Sequence, residues 1–105
     1  MDEKKIQEMQ ILEQKLQNTV LQKQSFQIEL AETSSALIEL DKAGDEVFKV
    51  IGQLMVKSDK NKMKEELLSK QKILELRIGS FEKQENLFSS QLDKLQQEIT
   101  NFNKK

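Results

Sequence analysis

Glu65 and Glu66 are the nearest this sequence comes to a pair of catalytic carboxylates, and their spacing disqualifies them. Adjacent residues on a helix point to different faces, so the two cannot converge on one bond as acid and base. The chain has no Cys and no His. That removes thiol nucleophiles, disulfides, zinc sites of the usual kind and the near-neutral proton shuttle. No glycine-rich phosphate loop is present. The charge run from Lys60 to Glu66 reads most simply as a solvated helix start. No catalytic residue, metal ligand or cofactor is therefore expected, and the chain does not read as an enzyme. The chemistry that remains is apolar. It lies in an island at the centre, Val47-Phe48-Lys49-Val50-Ile51-Gly52-Gln53-Leu54-Met55-Val56, and in apolar residues near both ends.

Length and charge narrow the class. A chain of 105 residues has room for one domain, and 36% hydrophobic with 33% charged residues is lean for a compact core. Net charge is −1, spread without a basic face that could neutralise phosphates, so nucleic-acid binding is not expected. No run approaches the roughly 18 apolar residues of a membrane span. Met1-Asp2-Glu3-Lys4-Lys5 leads into a polar helix, so no signal peptide is expected. The absence of Cys suits a cytoplasmic protein.

The elements that must carry the island are two helical arms. With heptad position a at Met9, the first-arm a and d residues are Met9, Leu12, Leu16, Thr19, Lys23, Phe26, Leu30, Thr33, Leu37 and Leu40. Most are apolar, and Gln, Glu and Lys dominate the positions around them. This is the narrow seam of a coiled coil rather than the wide face of a globular helix. Gly44 is a candidate C-terminal cap. In the second arm the d positions Leu67, Leu74, Phe81, Phe88, Leu95 and Phe102 are all apolar. Its a positions, Lys64, Gln71, Ile78, Glu85, Leu92 and Ile99, are half apolar. Ser58, Asp59 and Asn61 offer N-cap oxygens. Gly79 lies inside this arm, either as a flexible point or as a tolerated blemish.

A connection of fewer than 20 residues returns the arms antiparallel, with layer partners whose numbers sum to about 107. Leu40 then meets Leu67, Phe26 meets Phe81, Leu16 meets Leu92 and Leu12 meets Leu95. Lys23, the charged intruder on one seam, falls beside Glu85, the charged intruder on the other. The island divides at Gly52 into two β-prone runs, Val47–Ile51 and Gln53–Val56, which read as a hairpin. Continuation of a helix through 47–56 is the alternative, against the absence of helical spacing there. An isolated hairpin is marginal in water, so its edges are expected to pair with other copies or related chains. The fold class is thus mainly α, a long antiparallel coiled coil with a central β-hairpin that builds an oligomeric platform. The expected boundaries are 1–43 for the first helix, 44–58 for the hairpin and 59–105 for the second helix.

These residues resemble a known family. The segments Leu16-Gln17 through Gln22-Lys23-Gln24, Leu30-Ala31-Glu32-Thr33 to Glu39-Leu40, and Lys83-Gln84-Glu85 look like the β-class subunit of prefoldin, especially its archaeal form. The most specific part is Val47-Phe48-Lys49-Val50-Ile51-Gly52 followed by Leu54-Met55-Val56-Lys57. Gln53 and Phe48 depart from the residues common in that family, Pro or Gly and Tyr. The resemblance implies a hexamer of two α-class and four β-class subunits (α2β4), with hairpins joined into β-barrels and coiled coils projecting from them. It implies an ATP-independent chaperone that holds unfolded proteins at the coiled-coil tips and passes them to a group II chaperonin.

Under that reading Val47, Phe48, Val50, Ile51, Gly52, Leu54, Met55 and Val56 serve oligomerisation. The antiparallel return brings Ile6, Met9, Ile11, Leu95, Ile99 and Phe102 to one end as candidate client-binding residues. The seam members of this region double as coiled-coil core. Ile6 and Ile11 lie off the seam, and Phe102 is near enough to the end to fray. A structural tether or adaptor, binding one defined partner helix, is the alternative function. It would bind at fixed stoichiometry and would not suppress aggregation of unrelated unfolded proteins.

Overall fold

Long runs of good helix formers punctuated only at Gly44 and Gly52 leave the backbone few choices, and the computed structural model follows them. It describes residues 3–103. Helix α1 spans Glu3–Lys42, strand β1 Glu46–Ile51, strand β2 Leu54–Asp59 and helix α2 Lys60–Asn103. The fold is mainly α, two long helices flanking one antiparallel hairpin. Residues 26–76 form one unit, and the segments up to residue 25 and from residue 77 form another.

In the unit of residues 26–76 the helices run antiparallel. Glu29 pairs with Lys70 at 3.2 Å, Asp41 with Lys64 at 3.2 Å, and the Gln71 amide donates to Ser34 Oγ at 3.1 Å. Leu40 and Leu74 are buried at the centre of this seam. So is Thr33, whose hydroxyl donates to the Glu29 carbonyl one turn back at 2.8 Å. That bond satisfies a polar group that could not be left unpaired between helices.

The end of α1 is closed differently from the expectation for Gly44. Among the described residues only Gly52 has a positive φ, so Gly44 does not adopt the left-handed cap. Instead the Ala43 N–H bonds the carbonyls of Glu39 and Leu40, tightening the last turn. The Lys60 ammonium reaches back to donate to the Ala43 carbonyl at 2.7 Å. A cation at a helix C-terminus meets both the free carbonyl and the negative end of the dipole. Asp59 caps α2, its Oδ1 accepting from the Asn61 N–H at 3.3 Å.

The hairpin pairs Glu46 with Asp59, Phe48 with Lys57, Val50 with Met55 and Ile51 with Leu54. Gly52 has φ of 60°, and no non-glycine among the described residues, Gln53 included, has a positive φ, so Gly52-Gln53 is a type II′ turn. Its twist matches that of the strands, which is why Gly is required at 52. The second strand starts at Leu54 because Gln53 is spent in the turn. It runs on to Asp59, one residue past the expected boundary.

The unit formed by the two terminal segments is a second antiparallel helix pair. Lys5 meets Glu98 at 3.4 Å and Lys23 meets Glu85 at 2.5 Å. The second pair sums to 108, as the proposed register requires. Thr19, Ile78 and Leu92 are buried, and Thr19 donates to the Lys15 carbonyl at 2.8 Å as Thr33 does to Glu29. Gly79 lies within helical backbone and nothing stands within 4 Å of where its Cβ would be.

Candidate functional sites: an open hairpin and a charged groove

Alternation along a strand sends successive side chains to opposite faces, so a strand with one solvated face should read apolar then polar. β1 and β2 do not. Phe48, Val50 and Met55 share one face, while Ile51, Leu54 and Val56 share the other. All six are exposed, Met55 to 70%. Gly52 is exposed at the turn. Each strand also keeps one edge without a strand partner in this two-stranded sheet. Apolar side chains thus stand exposed on both faces of the hairpin, and both outer edges are open. Of the eight residues assigned to oligomerisation, Val47 stands apart. It is only 7% exposed and packs within its own unit. It lines a groove of about 430 Å³ with Ala36, Leu40, Phe48, Met55 and Met63. Val47 therefore anchors the hairpin to the helices that present it.

The second site lies in the unit of terminal segments, where heptad geometry builds a groove of about 400 Å³. Leu12 and Leu95, both d residues, form its floor, and Ile11 and Lys94, both at c, form its walls. The g residues stand at its corners, Glu8 and Glu98 at one end, Lys15 and Gln91 at the other. In an antiparallel pair the g positions of the two helices flank the same side of the seam, which is why these four border one groove. Of the six residues expected to hold clients, this groove gathers Ile11 and Leu95. Ile6, Met9 and Ile99 are half-buried and do not line it. Ile11 and Phe102 are 52% and 57% exposed. Reading the seam alone misses Glu8, Lys15, Lys94 and Glu98; attention to the g and c positions would have found them.

Among the described residues no group of three or more Asp or Glu is placed to hold a metal ion. No helix among them is long and apolar enough to cross a membrane.

A family model described as prefoldin subunit matches residues 3–105. The chain belongs to the prefoldin subunit family. It is 42% identical over 89 residues to prefoldin subunit beta of Thermococcus onnurineus, covering 83% of this chain and 77% of that one. It is 39% identical over 93 residues to prefoldin subunit beta of Sulfurisphaera tokodaii, covering 87% and 74%. Among solved structures it is similar to the crystal structure of the prefoldin beta subunit from Thermococcus strain KS-1. The TM-score is 0.85 at 35% identity, with 92% of this chain and 87% of the other covered. The family places the chain among the chaperones, as a prefoldin co-chaperone subunit. Its sequence relatives support the β-class resemblance, and the structural match supports the two-helix, one-hairpin architecture.

Proposed function

We propose that this chain is a β-class subunit of a cytoplasmic, non-catalytic holdase, assembled as an α2β4 hexamer. Phe48, Val50, Ile51, Gly52, Leu54, Met55 and Val56 pair with hairpins of α-class and further β-class subunits into β-barrels, with Val47 holding the hairpin in place. The ends of the helices hold unfolded proteins without ATP and pass them to a group II chaperonin. The observation that carries this reading is the hairpin: apolar on both faces and open on both edges, it is unfinished as a monomer.

Ile6, Met9, Ile11, Leu95, Ile99 and Phe102 supply the client contacts. Each is worth roughly 1.5–3 kcal/mol if fully buried and less when partly covered. Weak contacts of this kind suit promiscuous binding, and several helix ends on one platform multiply them through effective concentration. The test uses the chain assembled with an α-class subunit and two unrelated denatured proteins, in the absence of ATP. Replacing Ile6, Ile11 and Phe102 together by Ser should preserve the mass of the assembly and its helicity while weakening suppression of aggregation. Equal protection at equal assembly concentration would place the client site elsewhere. Fixed-stoichiometry binding of one helix with no suppression would favour the tether.

A further inference from the structure

The groove in the unit of terminal segments is charged in a definite order. Its end nearest Glu3 and Asn103 carries Glu8 and Glu98 across the seam from each other. Moving along it come the apolar floor of Leu12 and Leu95, then Lys94 on one wall, then Lys15 at the far corner. Glu8 and Lys15 are seven residues apart on α1, about 10.5 Å along the axis. The groove therefore offers an apolar strip two helical turns long with carboxylates at one end and ammonium groups toward the other. Lys5 already pairs with Glu98 at 3.4 Å in a solvent-exposed contact, and Glu8 adds a second carboxylate at this end. A cation added at that end gains attraction to Glu8 beyond the charge that Lys5 already balances on Glu98.

The backbone of the groove is helical on both sides, so its N–H and C=O groups are used within α1 and α2. An extended occupant would find no backbone partners there, whereas a helix satisfies its own and offers a side-chain stripe at i, i+3, i+4 and i+7. Helices in general carry Asp and Glu in the first turn and Lys and Arg in the last, because the macrodipole favours them there. Laid with its N-terminus toward Lys15, such a helix sets its acids against Lys15 and Lys94 and its bases against Glu8 and Glu98. In this orientation it runs parallel to α2.

We infer that this groove takes short amphipathic helices of incompletely folded clients, in one direction, by matching the charge order common to helices. The inference rests on the helix ends being the client site. It explains how one groove can be general and still orient what it holds.

The absence of Cys allows a direct test on the full chain in its assembly with an α-class subunit. Gln91→Cys puts one thiol at the Lys15 corner of the groove. The probes are fourteen-residue peptides with acids in the first turn, Leu at i, i+3, i+4 and i+7, and bases in the last turn. They carry a cysteine at either the N- or the C-terminus. With the peptide thiol activated as a mixed disulfide with 2-thiopyridine, the N-terminal probe should exchange with the thiol at position 91, releasing 2-thiopyridone, and the C-terminal one should not. The preference should reverse when Glu8→Lys and Glu98→Lys are combined with Lys15→Glu and Lys94→Glu. A peptide of the same composition with its charges intermixed should bind about fivefold more weakly at low salt. The gap should close in 1 M salt, where the Debye length is about 3 Å. Equal cross-linking of both termini, or equal affinity of the two peptides, overturns the directional inference and leaves the client site at the helix ends. No cross-link from either peptide, with aggregation suppression unaffected by the four charge reversals, overturns the site as well.

Discussion

Lys23 and Glu85 form a charged layer in a mostly apolar stretch of the seam, and their removal one at a time and together should give unequal costs. Their side chains are 18% and 27% exposed and the ammonium meets the carboxylate at 2.5 Å. One heptad to either side of Glu85 on α2 the a residues are Ile78 and Leu92, both buried. A slip of one heptad would thus set the Lys23 ammonium against a buried aliphatic side chain. Pairing Lys23 with Glu85 penalises those registers even where its own net stabilisation is modest. Exposed ion pairs contribute about 0.2–1 kcal/mol, and this pair, with more than two-thirds of each side chain covered, belongs at the upper end. Lys23→Met leaves the Glu85 carboxylate in the seam without its cation, and Glu85→Leu strands the ammonium. Each should cost about 1–2 kcal/mol, since an orphaned charge loses more than the pair contributed. The double variant fills the layer with apolar atoms and should fall within about 1 kcal/mol of the parent. The assay is urea unfolding of all four proteins at one protein concentration, followed by circular dichroism. A coupling near 1 kcal/mol or more is expected. Strictly additive single costs would refute the shared layer and its role in setting register.

Other substitutions test other parts of the structure. Val50→Pro removes a donor from β1 and should abolish assembly while leaving helicity, read by light scattering together with circular dichroism. Gly52→Ala puts a Cβ on a backbone with φ of 60° and should destabilise the hairpin by about 1–2 kcal/mol, lowering the melting temperature of the assembly. Gly79→Ala has the opposite sign: in helical backbone with open space for the Cβ it should stabilise α2 by about 1 kcal/mol in urea unfolding.

The seam was legible because heptad spacing is local information. All ten a and d residues chosen on α1 are buried or half-buried, Thr19, Thr33 and Lys23 included. The two threonines could be placed but not explained from spacing; their hydroxyls bond the carbonyl one turn back, which only helical geometry reveals. The turn at Gly52 was legible because a two-residue hairpin with one positive φ leaves almost no other choice. The cap of α1 was not. Gly44 is the residue local rules select, yet Lys60, seventeen residues past Ala43, supplies the closing contact. Val47 does not stand out from its exposed neighbours in the sequence for a related reason: which strand residue is covered by the helices is set by packing, not by the alternation itself. The charged corners of the groove fall between these cases. Glu8, Lys15 and Glu98 occupy regular g positions, but their gathering on one side of the seam follows only once the antiparallel register is fixed.

Native mass spectrometry reads assembly through the unfinished hairpin and client binding at the helix ends at once. The chain is mixed with an α-class subunit and challenged with a denatured protein without ATP. The expected result is a hexamer of two α-class subunits and four copies of this chain, and a second species heavier by one client. Dimers alone, or a hexamer that never gains client mass, would contradict it.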